Sequence, residues 1–446
     1  MMSRDSIRVA VLVIALGASA AFPKPARAQT SALTPAPRAM TTVDLIGVPE
    51  LGDPQLSADG RQILFTRSDA DWKANRRVAH IHRVNSDGSG LRQMTTGPEG
   101  EASPRWAPDG SRFAFVARRP GSDSAQIYLM ANEGGEARRL TSQPTAVSNI
   151  QWARDGSALF FLAAEPKTAE ERASEEAKDD AFALDESYKQ VHLWRVEVES
   201  GKTSRVTGGD FSITQYNLTR DGKRIAALRG PSPLFGDAEK GEVYVMDVDG
   251  ANAVRITNNQ VDEFFPSISP RGDEVLFVTG ANARLEPYYS NRAFVAPISG
   301  GPARILAPDF PHAIDRAQWS QDGREVLLSV NLGVRRELFV LDVTTKRTRQ
   351  ITDGQHELMG GSFVPELGRV ALLVDEPMDP GEIWIAALDG AAPPRQVTHL
   401  SERYAREFKL GRQEKIEWKG VDGVTVEGLL HYPAEYVAGR RYPLAV

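Results

Sequence analysis

Residues 103–110 read Ser103-Pro104-Arg105-Trp106-Ala107-Pro108-Asp109-Gly110. They are followed by Phe113-Ala114-Phe115-Val116, Ile127-Tyr128-Leu129-Met130 and Leu140-Thr141. The stretch opens on a Pro/Trp segment and turns through Ser/Ala-x-Asp-Gly. It then runs through two apolar strands and closes on an apolar residue plus Thr. The same unit recurs along most of the chain, with turn glycines at Gly60, Gly110, Gly156, Gly222, Gly272, Gly323 and Gly368. Their spacings are 50, 46, 66, 50, 51 and 45 residues. Several short strands repeated at that period are the mark of a propeller blade. The reading is all-β: a seven-bladed β-propeller with TolB-like or WD40-like blades over residues 41–400.

The blades are expected near residues 53–95, 101–141, 148–207, 211–257, 262–307, 314–352 and 361–398. Asp-Gly between apolar runs is a hairpin signal, because glycine accepts the positive φ that a tight turn needs. Val243-Tyr244-Val245-Met246, Leu338-Phe339-Val340-Leu341 and Ile383-Trp384-Ile385 lack polar alternation. Both faces of such strands must be covered, as when each blade packs between two neighbours. Two copies are degraded. Blade 5 has Pro270-Arg271-Gly272-Asp273 and ends on Ile305-Leu306 without Thr, and blade 7 turns through Val364-Pro365-Glu366-Leu367-Gly368. The long spacing of 66 falls where an insertion interrupts blade 3. Residues 165–187 carry nine acids against three basic residues, an excess equal to the whole chain's net charge of −6. Thr168-Ala169-Glu170-Glu171 fits a capping box, so a short exposed helix is expected there.

Composition, at 41% hydrophobic and 25% charged, is that of a soluble globular chain. No basic stripe is present to attract phosphates, which argues against a nucleic-acid partner. Residues 1–28 read as a cleaved secretory signal. Arg4 and Arg8 precede the apolar run Val9–Leu16, too short to span a bilayer, and Ala26-Arg27-Ala28 forms an A-x-A site before Gln29. The alternative is an uncleaved membrane anchor; after cleavage no membrane span is expected. The implied location is secreted, in a periplasmic setting. That compartment permits disulfides, yet the chain has no cysteine, so packing must supply stability and thiol chemistry is excluded. Residues 29–40 are Pro/Ala/Thr-rich and read as a disordered linker. Thr41 to Leu51 is expected to hold a short helix, and residues 401–413 a second linker.

From residue 414 the pattern changes. Glu414, Ile416, Trp418-Lys419, Asp422-Gly423, Glu427-Gly428, Leu430 and Pro433, followed by Tyr442-Pro443-Leu444, resemble the opening of the catalytic domain of prolyl oligopeptidase family serine peptidases. The likeness is nearest to the acylaminoacyl-peptidase and bacterial dipeptidyl-peptidase-like branch. The blades and the opening Thr42-Val43-Asp44-Leu45 resemble that branch too, so the likeness covers residues 41–446. Residues 414–446 are therefore read as the first strands of an α/β-hydrolase domain whose remainder is missing. The resemblance implies a Ser/Asp/His triad, acyl transfer through a serine ester, and a propeller that admits only short peptides as substrates. No Gly-x-Ser-x-Gly elbow occurs in the 446 residues, so no catalytic residue is assigned and the chain by itself is expected to be inactive. The Tyr-Glu-Glu context with which dipeptidyl relatives capture an amino terminus is also missing, although Glu170-Glu171 and Glu175-Glu176 are present.

Other constellations read as structural. His80-x-His82 places two imidazoles on one strand face, short of the four ligands of a structural metal site. No metal or cofactor is assigned. Asp247-Val248-Asp249-Gly250 resembles the start of a calcium loop, but Asn252 stands where that loop needs glycine. Arg271-Gly272-Asp273 falls on a blade turn. Trp106, Trp152 and Trp319 recur at one blade position, which indicates packing between blades and not a stacking platform for sugars. The acidic insertion reads as a solvated helix, with capture of a peptide's amino group as the sharper alternative. Two rival functions remain open. A non-enzymatic TolB-like periplasmic propeller for protein binding explains the repeats but not residues 411–446. A propeller glycosidase or lyase would need carboxylates in the channel.

Overall fold

The computed structural model describes residues 36–179 and 187–446. The segment read as a secretory signal (residues 1–28), residues 29–35 of the stretch read as a linker and residues 180–186 of the acidic insertion lie outside the described residues. The chain divides into two units, residues 1–36 and 37–446, and the second holds the regular structure described below. Seven four-stranded antiparallel sheets follow one another, each built from four consecutive strands. Their inner strands are Glu50–Leu56, Glu101–Trp106, Val147–Trp152, Ser212–Leu218, Glu263–Ile268, Ala313–Trp319 and Glu357–Val364. The seven-bladed propeller expected from the repeat is thus present, and the degraded copies are complete blades.

The repeat's signature residues make the same bonds in blade after blade. At each Ser-x-Asp-Gly turn the glycine N–H donates three residues back, at 2.8 Å or longer, to the carbonyl of Ser57, Ala107, Ala153, Thr219, Ser269, Ser320 or Pro365. The glycine sits at φ between +56° and +75°, a region that disfavours any Cβ. The turn's Asp accepts the amide two residues on, as Asp59 does from Arg61 and Asp322 from Arg324. The closing threonine works on the inside. Oγ1 of Thr95, Thr141, Thr207, Thr257, Thr352 and Thr398 accepts the backbone N–H of Ile81, Ile127, Leu193, Val243, Leu338 and Ile383 at 2.8–3.0 Å. In blade 5 this position is Ala307. Each recurring tryptophan ties its blade to the one before. Trp106 Nε1 donates to Gln55 O and Trp152 Nε1 to Arg105 O, both at 3.0 Å, and Trp319 Nε1 donates to Ser267 O at 3.4 Å.

Seven apolar clusters fill the seven blade–blade interfaces. Successive residues of a strand point to opposite faces, so Ile63 and Phe65 pack on blade 7 while Leu64 packs on blade 2. This is why the middle strands read as unbroken apolar runs. Blade 7 meets blade 1 through Phe65, Val364 and Ile383. Among the described residues no strand is exchanged between the ends, so packing closes the ring.

Helix α1 is Thr42–Ile46, with a capping box between Thr41 and Asp44. Helix α3, Glu402–Glu407, lies within the segment read as a linker and buries Tyr404. At Pro37–Met40 the stretch expected to be disordered makes contacts. Arg38 N donates to Glu407 O at 3.1 Å, Lys409 N donates to Arg38 O at 2.7 Å, and the Arg38 guanidinium grips Asp44 through two bonds of 2.7 Å. The segments entering and leaving the ring are thereby stapled together. After α3 a hairpin pairs Gln413–Lys419 with Thr425–His431. Of residues 414–446, read as the first strands of a hydrolase domain, the closing stretch Tyr442–Val446 forms no strand. A strand exists only by pairing, and no partner is present there among the described residues.

Candidate functional site: the central channel

The seven inner strands surround a cavity of about 870 Å³ to which every blade contributes. All seven carry a β-bulge, one residue more than the neighbouring strand, at Gly52/Gln55, Ala102/Arg105, Ser148/Gln151, Ile213/Gln215, Phe264/Ser267, Ile314/Arg316 and Leu358/Gly360. A bulge kinks its strand and re-aims side chains. Asp53, Ser103, Asn149 and Phe265 take φ values of +47° to +56° there. Pro54, Pro104 and Pro266 follow three of them, where a missing ladder bond costs nothing. The Pro segment that opens a repeat is therefore the bulge itself.

The channel is electropositive although the chain carries a net −6. Arg105, Arg154, Arg220, Arg224, Arg271 and Arg316 line it, against Asp221 and Glu366. Arg105 pairs with Asp53 at 2.8 Å. Arg316, facing the cavity from blade 6, lies over the Phe265 ring at 5.0 Å. Burial, then the nearby Arg105, lowers the Arg316 pKa, with Asp53 opposing. The Tyr216 hydroxyl donates to Asn149 O at 2.5 Å, and burial pushes its pKa up.

At the turn-side mouth Glu366 of blade 7 meets Arg154 of blade 3 and Arg220 of blade 4, each at 2.8 Å. These are charge contacts without hydrogen-bond alignment, and Arg220 also donates to Gln321 O of blade 6 at 3.3 Å. All four residues occupy the x position of the repeating turn. They bridge blades on opposite sides of the ring.

The other edge of the blades carries the acidic insertion and faces the tail. Helix α2, Ala169–Glu176, has the expected capping box and no buried residue. Glu171 is held by Lys189 at 2.6 Å and Glu175 by Lys167 at 2.7 Å. On that edge Glu427 of the tail hairpin accepts the Val334 N–H at 3.4 Å. A second cavity, of about 620 Å³, opens between α1, blades 6 and 7 and the hairpin. Leu45, Met378, Leu410 and Leu429 line it with Glu357 and Asp375, whose pKa values burial raises.

The remaining sequence candidates have structural partners. His80 bonds Glu101 at 2.9 Å, and His82 stacks on Phe65 with its pKa lowered by burial. Asp247-Val248-Asp249-Gly250 is a turn, with Gly250 N donating to Asp247 O at 2.9 Å. Arg271 lies at the channel mouth. The arginines of the channel were not singled out from the sequence. Lining up the seven x positions would have found Arg154, Arg220 and Glu366, but the bulges hide which inner-strand residues face inward.

The ring is a seven-bladed β-propeller, and the comparisons find the same fold in known proteins. The family model described as Lipoprotein LpqB beta-propeller domain matches residues 84–276. Dipeptidyl-peptidase 5 of Porphyromonas gingivalis is 24% identical over 336 residues, 68% of this chain and 48% of that protein. The chain thus spans about half the length of this curated relative. The acylaminoacyl peptidase of Pyrococcus horikoshii has the same fold, with a TM-score of 0.67, 17% identity and coverage of 89% of this chain and 59% of that one. The propeller domain of the Trilobed protease from Pyrococcus furiosus, described as having an open velcro topology, gives a TM-score of 0.57 at 14% identity and covers 79% and 97% of the two chains. The resemblance to peptidases of the prolyl oligopeptidase family holds in both sequence and fold.

Proposed function

We propose that this chain is the substrate-gating part of an exported serine peptidase that hydrolyses short peptides through an acyl-enzyme. The observation that carries the reading is the hairpin after the ring, which holds the residues resembling the opening of a hydrolase domain. The Trp418 ring lies across Gly428, where a Cβ would come within 2.9 Å of it, so the Trp/Gly pairing has a packing reason. The arrangement of the channel supports gating. One mouth is spanned by Glu366, Arg154 and Arg220, while the opposite edge carries the hairpin and α2. A catalytic domain on that edge would receive peptides in a site shielded from folded proteins and bulk water.

The test compares this chain with the complete gene product. A fluorophosphonate probe should label a serine of the complete product and none of this chain. The complete product should cleave short peptides and leave folded proteins intact. Labelling of this chain would overturn the reading. The match to the LpqB propeller model favours a second reading, a non-enzymatic exported propeller for protein binding, and failure of the complete product to label would favour it. Both readings place the mature amino terminus at Gln29, outside the cytoplasm, which N-terminal sequencing of the exported protein checks.

A further inference from the structure

Among the described residues Arg224, Arg271 and Arg316 line the channel without an ion pair, and of these Arg316 is the one that lies over an aromatic ring, that of Phe265. Among the described residues its guanidinium has no carboxylate within ion-pair distance and no hydrogen bond; its neighbours are the Phe265 ring, Arg105 and Asp53. Arginine stays charged at any physiological pH and offers a planar fork of donors matched to a carboxylate. Arg316 is exposed to the cavity and its donors are not taken up by other protein groups, so an anion entering the channel can reach them. Arg105 lines the same space, paired with Asp53 at 2.8 Å. Phe265 is held by its bulge at φ +56° and stands 39% exposed as a flat wall beside them. The arginine excess of the channel concentrates anions there.

We propose that Arg316, with Arg105 and the Phe265 ring, forms a carboxylate-binding site inside the central channel, and that its ligand is a carboxylate carried by a short peptide. Bidentate pairing with Arg316 supplies the recognition, and the ring packs against the chain that bears the carboxylate. With the turn-side mouth bridged, the ligand arrives from the edge that carries α2 and the hairpin. The carboxylate requirement stands on the channel alone. Only the peptide as its carrier rests on the peptidase reading.

Calorimetric titration of the 446-residue chain tests this with three acetylated peptides. Ac-Ala-Ala-Ala-Phe as free acid carries only a terminal carboxylate, Ac-Ala-Glu-Ala-Phe amide only a side-chain carboxylate, and Ac-Ala-Ala-Ala-Phe amide none. At least one carboxylate peptide should bind about 10-fold or more tightly than the uncharged one, as expected for a charge-assisted pair, and raising salt should weaken it. The tighter of the two identifies the source as a chain terminus or an acidic side chain. Arg316→Gln should abolish the preference, and Arg316→Lys should reduce it. Arg271→Gln, at the mouth, should leave it. Because Arg316 has no partner to lose, its replacement should not lower the melting temperature; if Arg316→Gln nevertheless fails to fold, Arg316→Lys decides. Equal binding of all three peptides, or a preference that survives in the Arg316 variants, overturns the site. N-acetylglutamate separates the two parts of the proposal. Binding of N-acetylglutamate through Arg316 without binding of any peptide keeps the carboxylate site and overturns the peptide carrier.

Discussion

Thr141 shows how much one side chain of the repeat does. Its hydroxyl accepts the Ile127 N–H at 2.9 Å and donates to Gln126 Oε1 at 2.8 Å, all of it buried. Thr141→Val keeps the shape and leaves the Ile127 N–H without a partner, while Gln126 Oε1 keeps the Gln143 N–H at 2.9 Å, so a loss of about 1–3 kcal/mol is expected in urea unfolding. A loss below about 0.5 kcal/mol would mean that water or a neighbour replaces the hydroxyl. Glu263, the first residue of the inner strand of blade 5, bears the same kind of bond to the closing threonine of blade 4, accepting from Thr257 at 2.7 Å and Asn259 at 2.7 Å. Burial outweighs those bonds and pushes its pKa up to about 7. A carboxyl whose folded pKa lies above its unfolded value binds more protons when folded, so its contribution to stability is full below pH 4.5 and declines as pH rises to about 7. Glu263→Gln should therefore melt higher than the parent at pH 8 and lose that advantage at pH 4.5, a gap on the order of 2–3 kcal/mol. A pH-independent gap would show that Glu263 is not protonated on folding. The Leu/Ile-Thr ending was legible as a repeat, because the same bond recurs at the same spacing. The partners in the channel were not. One bulge residue per inner strand shifts the facing parity, and the variable x residue of each turn carries no repeat signal.

At the scale of elements, the repeat predicted the blades because hairpin turns and two-sided burial are both local sequence patterns. It predicted α2 through its capping box. Segments that depend on distant partners fared differently. The stretch at Pro37–Met40 is ordered by Glu407 and Lys409, more than 350 positions away in sequence, which composition alone does not reveal. The tail hairpin is the converse case. Trp418, Val424 and Leu429 are exposed, and its contacts with the ring are few: the Glu427–Val334 bond and one wall of the smaller cavity. Exposed strands with free edges template pairing with other chains. Deletion of residues 411–446 should therefore leave the ring cooperatively folded, with a melting temperature within about 3 °C of the parent, and should make it more soluble. In the parent, amides of the hairpin should exchange faster than those of the middle strands of the blades. Unfolding of the ring on deletion would make the hairpin an integral part of the propeller and would favour the non-enzymatic reading.

Over the whole molecule, a ring closed without strand exchange depends on every interface at once, and on bonds that cross it. The blade 7–blade 1 seam has its apolar cluster and the Arg38–Phe408 bridge beside it. Glu366 acts differently, joining blades that are not neighbours: one carboxylate is shared by Arg154, with its side chain 57% exposed, and Arg220. Ion pairs this accessible contribute only about 0–1 kcal/mol each. Glu366→Gln should therefore shift the melting temperature by less than about 3 °C. Its effect should lie in the mouth. With the shared charge removed, the two arginines repel each other and the turns of blades 3 and 4 are released from blade 7. Hydrogen exchange should rise several-fold at the amides of residues 153–156 and 219–222 and stay unchanged at the turn of blade 2, whose x residue is Pro108. Raising the salt to about 0.5 M screens the same contacts, so the parent should approach the variant under that condition. Exchange that is the same in parent and variant would show that the bridge does not hold the mouth in solution, and the turn-side end of the channel would then be as open to peptides as the edge that carries α2.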